Sequence, residues 1–259
     1  MNTWTQKSIE LARNKDYLDK LIDVYPMNPE SIRALDPKKW SLVEKYFNSA
    51  DLPQLISTLL SFDLFPIKDS YIAYLKRDRT AIERNQKTVE RLGNSLMSMG
   101  LDKIKEKCAE PKETNRQIGP MFRNWVRSGK LDIQITSDTK KFKTSTENMI
   151  LDLGDSALKT FANDHLNYKG KKGLDLVAKI ENYYIVGEAK FLTDFGGHQN
   201  AQFNDAITLV QNTSIKAKTV AILDGVPYIE GNNSMSKAIR ENSERNIMSV
   251  LVLKEFLKS

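Results

Sequence analysis

The sequence predicts an α/β protein, a mixed sheet flanked by helices and preceded by an all-helical N-terminal region. Three observations predict it. Through about residue 110, apolar residues recur at helical spacing and no strand-like alternation appears. From residue 174 onward, short runs rich in β-branched residues alternate with turn dipeptides and helical stretches. Two of those runs are joined by a tight turn, which makes them antiparallel, whereas others are separated by a helix, as parallel neighbours require.

The elements follow in order. A chain of 259 residues can bury a sizeable core and corresponds to one large domain or two modest ones. Asp36-Pro37 is an N-cap followed by proline at the first helical position, with Trp40, Val43, Tyr46 and Phe47 behind it at helical spacing. Val89, Leu92, Leu96 and Met99 form a later stripe, closed by Gly100. A capping box, Thr144-x-x-Glu147, opens a helix whose stripe is Ile150, Leu153, Ala157, Leu158 and Phe161. Strands are expected over 174–180 and 183–191 around a Glu181-Asn182 turn, then over 218–223, closed by Asp224-Gly225, and over 247–253. Helices are expected over 203–212 and 234–245. The organisation is thus a helical region over 1–110, for recognition or dimerisation, a basic connecting segment over 111–143, and a catalytic α/β domain over 144–259.

Composition excludes several classes. No apolar run reaches the length of a membrane-spanning helix, and the first residues lack a basic stretch followed by an apolar core, so neither a membrane role nor secretion is expected. A single cysteine, Cys108, cannot form an internal disulfide, and two histidines, His165 and His198, are too few for a histidine-built zinc site. The net charge of +6 is compatible with a polyanionic partner and also with ordinary surface charge. In the connecting segment, Lys112, Arg116, Arg123, Arg127, Lys130, Lys140, Lys141 and Lys143 outnumber Glu113, Asp132 and Asp138, and Phe122 and Trp125 lie among them. Basic residues interleaved with aromatics fit a nucleic-acid surface; a linker whose aromatics dock on a domain fits equally well.

The residues that carry chemistry are Asp175, Glu188 and Lys190. The chain contains four (D/E)-x-K strings, Asp36-Pro-Lys38, Glu110-Pro-Lys112, Asp138-Thr-Lys140 and Glu188-Ala-Lys190. Only the last lies on an apolar strand with an acid-led strand before it. Side chains alternate along a strand, so Glu188 and Lys190 share a face while Ala189 points into the core. A hairpin turning at Asn182 carries Asp175 to the Glu188 end. Paired carboxylates bind a hard cation such as Mg2+, and an ammonium group beside them can orient a water or stabilise negative charge developing on a phosphate. The structural alternative is a solvated hairpin edge with an incidental ion pair.

This pattern resembles the PD-(D/E)xK nuclease superfamily, and within it the type II restriction endonucleases, over about residues 144–253. Leu174 stands where the superfamily pattern has proline. The resemblance implies a restriction-endonuclease-like core, catalysis by Asp175, Glu188 and Lys190, and Mg2+ (with Mn2+ substituting) held by Asp175, Glu188 and the Ala189 carbonyl. It further implies an acid from the preceding helix, for which Glu147 is the first candidate and Asp155 the second. The implied partners are double-stranded DNA, a second copy in a two-fold dimer, and a companion methyltransferase in the same host, functional rather than physical. The implied location is the cytoplasm of a bacterium or archaeon. Two other readings stay open: a structure-specific repair or recombination nuclease, and a DNA-binding protein whose carboxylates are structural.

The stretch after the catalytic strand, Thr193 to Asn204, is rich in amide side chains around Gly196-Gly197. Asn and Gln can pair with adenine and Asp can accept from cytosine. Gln199 and Asn200, with Asp194 and His198 behind them, are therefore candidate DNA contacts, as are Arg123, Arg127, Lys171 and Lys172 for phosphates. A polar loop capping the next helix is the plainer reading.

Overall fold

The computed structural model describes residues 1–26, 34–111, 117–229 and 231–259. The protein is mixed α/β, with six strands and fourteen α-helices among the described residues. Lys112 and Arg116 of the expected basic segment lie outside the described residues. No described helix is long and apolar enough to cross a membrane.

The chain forms two compact units, one of Met1–Met27 with Thr114–Ser259 and one of Asn28–Glu113. One division falls near 110, as expected, but the first residues and the basic segment from 114 onward belong with the sheet, so no division falls near 143. The reason is burial. Tyr17, Leu21, Val24 and Tyr25 share a core with Phe122, Val126 and Leu131 and with the strand residues Ala189, Val220 and Ile222.

The smaller unit is helical in its described residues: α3 (Pro37–Asn48), α4 (Leu52–Leu59), α5 (Ser70–Arg77), α6 (Ala81–Arg84), α7 (Gln86–Met99) and α8 (Leu101–Ala109). Asp36 caps α3 by accepting from Lys38 and Lys39 amides, as Asp-Pro signalled. Trp40, Val43, Leu55, Leu92, Leu96 and Ile104 fill its core, where Cys108 is also buried.

The larger unit holds α1 (Thr3–Ala12) and α2 (Tyr17–Leu21), then α9 (Ile118–Arg127), β1 (Gln134–Thr136), α10 (Thr139–Thr144), β2 (Met149–Leu151) and α11 (Asp155–Leu166). It continues with β3 (Leu176–Ile180), β4 (Tyr183–Leu192), α12 (Gly197–Gln211), β5 (Lys218–Gly225), α13 (Ser234–Glu241), β6 (Ile247–Met248) and α14 (Val250–Leu257). The sheet order is β1-β2-β3-β4-β5-β6. The pairs β2–β3 and β3–β4 are antiparallel; β1–β2, β4–β5 and β5–β6 are parallel.

Four sequence expectations change. The helix expected from 144 is a strand at Ile150 and a helix only from Asp155, because β2 pairs with β3 through Ile150 and Ala178. The strand expected over 247–253 is two residues of strand and then α14, capped by the Ser249 side chain, which accepts from the Leu251 amide. A short apolar run reads alike as strand or buried helix, and here the cap decides. The helix expected from 203 begins at Gly197, so the polar stretch is mostly helix, not loop. The basic segment contributes α9, β1 and α10 rather than a bare connection.

Candidate active site

The β3–β4 hairpin turns at Glu181-Asn182 and pairs Ile180 with Tyr183 through to Leu176 with Gly187. Asp175 immediately precedes β3, and its amide donates to the Gly187 carbonyl at 3.1 Å, so the ladder carries it to Glu188. Alternation then sorts the faces. Leu176, Ala178, Ile185 and Ala189 enter one core layer, while Val177 and Val186 enter the other. Asp175, Glu188 and Lys190 share the face of Val177 and Val186.

Their side chains meet. The Lys190 ammonium lies 2.9 Å from Glu188 Oε1 and 3.4 Å from Asp175 Oδ2. Asp175 Oδ2 also accepts from the Ala189 amide at 2.9 Å. Glu188 is 5% exposed. Burial pushes its carboxyl above the usual range, against the opposing pull of Lys190. Burial would lower the Lys190 ammonium, but Asp175 and Glu188 together outweigh it and hold the lysine above its ordinary value. The group is therefore a carboxylate pair bridged by a firmly charged lysine.

These residues line a cavity of about 280 Å3, with Ala189 and Phe191 of β4, Ile118 and Gly119 of α9, Gln202 and Asp205 of α12, and Lys172. Alpha-9 stands there because Ile118, Phe122 and Val126, one helical stripe, are buried in the sheet core. Gly119 faces the site: a Cβ there would lie 3.9 Å from Asp175 Oδ1, an ordinary contact distance, and that oxygen is one for which no described group is a hydrogen-bond donor. Open acceptor capacity on Asp175 and Glu188, facing a polar cavity, fits a hard cation. Among the described residues no group of three His, Cys, Asp or Glu side chains is placed to hold one ion. Two carboxylates and a backbone carbonyl, completed by water, suit Mg2+, which keeps several waters.

The other expected residues are placed as follows. Glu147 is exposed, in the bend before β2, and Met149 pairs with Lys179 near the far end of β3 from Asp175. The expectation that it joins the carboxylates is corrected, for antiparallel pairing sends it the other way. Asp155 opens α11 and pairs with Arg123, away from the cavity lining. Gln199 is buried, and its amide oxygen accepts from the Thr193 N–H at 3.3 Å, so it fastens the start of α12 rather than presenting itself to a base. Asn200 is half-buried and accepts from the Ser234 hydroxyl. Asp194 and His198 are exposed; Asp194 accepts from the Phe195 amide and His198 bonds Gln202 at 3.0 Å. Arg127 forks onto Asp152, with Nε 2.9 Å from each carboxylate oxygen. Lys171 and Lys172 are exposed beside the cavity strand, and Lys172 pairs with Asp205.

Sequence reasoning missed Gln202, Asp205 and Gly119. Gln202 and Asp205 lie one turn apart on α12; the earlier start of that helix brings in Gln202, and packing of the helix against the sheet sets both on the cavity. Gly119 carried no signal at all, because its relation to Asp175 is a packing contact between distant segments.

Neither a curated protein nor a solved structure matches the chain. One family model does, that of the Tsp45I type II restriction enzyme, over residues 2–259. With a match across nearly its whole length, the chain belongs to the Tsp45I type II restriction enzyme family.

Proposed function

We propose that the protein is a Mg2+-dependent, sequence-specific endonuclease of double-stranded DNA whose catalytic centre is Asp175, Glu188 and Lys190, on a core of the PD-(D/E)xK kind. The observation that carries this reading is the convergence of the three side chains in one polar cavity, in a chain of a restriction-enzyme family. Asp175, Glu188 and the Ala189 carbonyl would hold the cation. When bound, Mg2+ would polarise the phosphoryl oxygen and acidify a water. Lys190, held charged by its two carboxylates, orients the attacking water and offsets charge that develops on the phosphate. Burial of Glu188 removes its carboxyl from bulk water, which strengthens its interaction with Lys190.

Lys171, Lys172, Arg123 and Arg127 are phosphate contacts in this reading, and Asn200, Asp194 and His198 lie on the segment that approaches the bases. The helical unit serves recognition or dimerisation. A two-fold dimer would match a palindromic target, each copy cutting one strand, and a host methyltransferase would protect that target.

The test is digestion of a sequenced, unmethylated phage DNA by the pure protein with Mg2+, beside EDTA and Lys190→Ala controls. Discrete fragments that need the metal and Lys190 are expected. A smear would remove sequence specificity, and full cleavage by Lys190→Ala would remove the proposed centre.

A further inference from the structure

We propose that Asp205 is a positioning residue of this site, holding the Lys172 ammonium at the cavity as its phosphate contact. The proposal rests on the nuclease reading above. Lys171 and Lys172 stand side by side before β3, both exposed, but only Lys172 lines the cavity with Asp175, Glu188 and Lys190. Its backbone is anchored, since the Tyr168 hydroxyl donates to the Lys172 carbonyl at 3.4 Å. Its side chain is anchored by the ion pair with Asp205, which reaches it from α12.

Stability does not account for this pair. The Lys172 side chain is 62% exposed and that of Asp205 28%, and ion pairs so open to water contribute little to folding. Anion binding alone does not account for it either. A third carboxylate beside Asp175 and Glu188 opposes the approach of a phosphate, and its ion pair with Lys172 is the one contact among the described residues that offsets that cost. A free lysine side chain loses rotamer entropy when it is fixed on a ligand. Asp205 restricts that freedom in advance and leaves the outer side of the ammonium open. Lys172 therefore meets the phosphate from a held position, and Asp205 touches neither the phosphate nor the cation.

The test is a double-mutant cycle on a plasmid bearing one mapped target, with wild type, Asp205→Asn, Lys172→Ala and the double variant, read as kcat and KM in saturating Mg2+. Asp205→Asn is expected to lower kcat by about tenfold, with DNA affinity unchanged or tighter because a negative charge is gone. Lys172→Ala is expected to lower kcat and raise KM. In the Lys172→Ala background, Asp205→Asn should add nothing, since its only role is lost. Asp205→Glu, which restores the charge, should recover part of kcat, a result that a fold defect would not produce.

Three results overturn the proposal: wild-type kcat in Asp205→Asn, the same factor lost with and without Lys172, or rescue of Asp205→Asn by raised Mg2+, which would make Asp205 a cation ligand. No cleavage by the wild type, or full cleavage by Lys190→Ala, overturns the nuclease reading and this proposal together. Cleavage that needs Lys190, with an additive cycle, overturns this proposal alone.

Discussion

Two buried carboxylates stand on neighbouring parallel strands, Glu188 on β4 and Asp224 on β5, and they are finished differently. Asp224 is fully buried. Its oxygens accept from the Ser249 hydroxyl at 2.5 Å, the Tyr25 hydroxyl at 3.1 Å, the Tyr17 hydroxyl at 3.3 Å and the Val250 amide at 3.3 Å. Glu188 has one such partner among the described residues, Lys190, and faces the cavity. Burial raises the carboxyl of each. A raised carboxyl therefore does not by itself mark a functional site. What separates the two is acceptor capacity: spent on the fold at Asp224, left toward open space at Glu188.

This contrast can be broken first at the open site. Lys190→Ala should reduce cleavage by about a thousandfold or more while circular dichroism stays native. A variant that unfolds instead would place Lys190 among the structural groups with Asp224.

The converse substitution is next in size. Asp224→Ala leaves three hydroxyls and an amide without an acceptor and should cost about 3 kcal/mol or more of stability, read by urea unfolding. Cleavage per folded molecule should remain, since Asp224 does not line the cavity. Loss of cleavage at unchanged stability would erase the distinction.

The third effect is one of pH. Burial, opposed by the donors around it, raises the Asp224 carboxyl from 3.8 to about 6. Between those values the folded protein binds a proton that the unfolded chain has released. Stability contributed by this group is therefore fully present below pH 3.8 and is lost as pH rises to about 6. The loss is about 3 kcal/mol at most. Asp224→Asn should flatten that part of the unfolding profile; an unchanged slope would place the titration elsewhere.

The smallest effect sharpens the boundary of the site. Glu147→Gln, at an exposed bend, should change neither cleavage nor stability beyond about 0.5 kcal/mol. A large loss of cleavage would restore it as a ligand.

What the sequence determined by itself is local. The hairpin around Glu181-Asn182, the shared face of Asp175, Glu188 and Lys190, and the Asp36-Pro37 cap all follow from period-two alternation, turn chemistry and capping, which act within a few residues. Asp224 was legible only as the end of a strand, because its partners come from residues 17, 25, 249 and 250, segments that no local pattern links.

Tertiary structure alone decided the rest. It assigned the first 27 residues to the sheet unit, stood α9 against Asp175, buried Gln199, and placed Asp205 beside Lys172. It sent Glu147 to the other end of β3 by antiparallel pairing. Each of these depends on which apolar faces cover one another, and that is settled by the whole core rather than by any window of the chain.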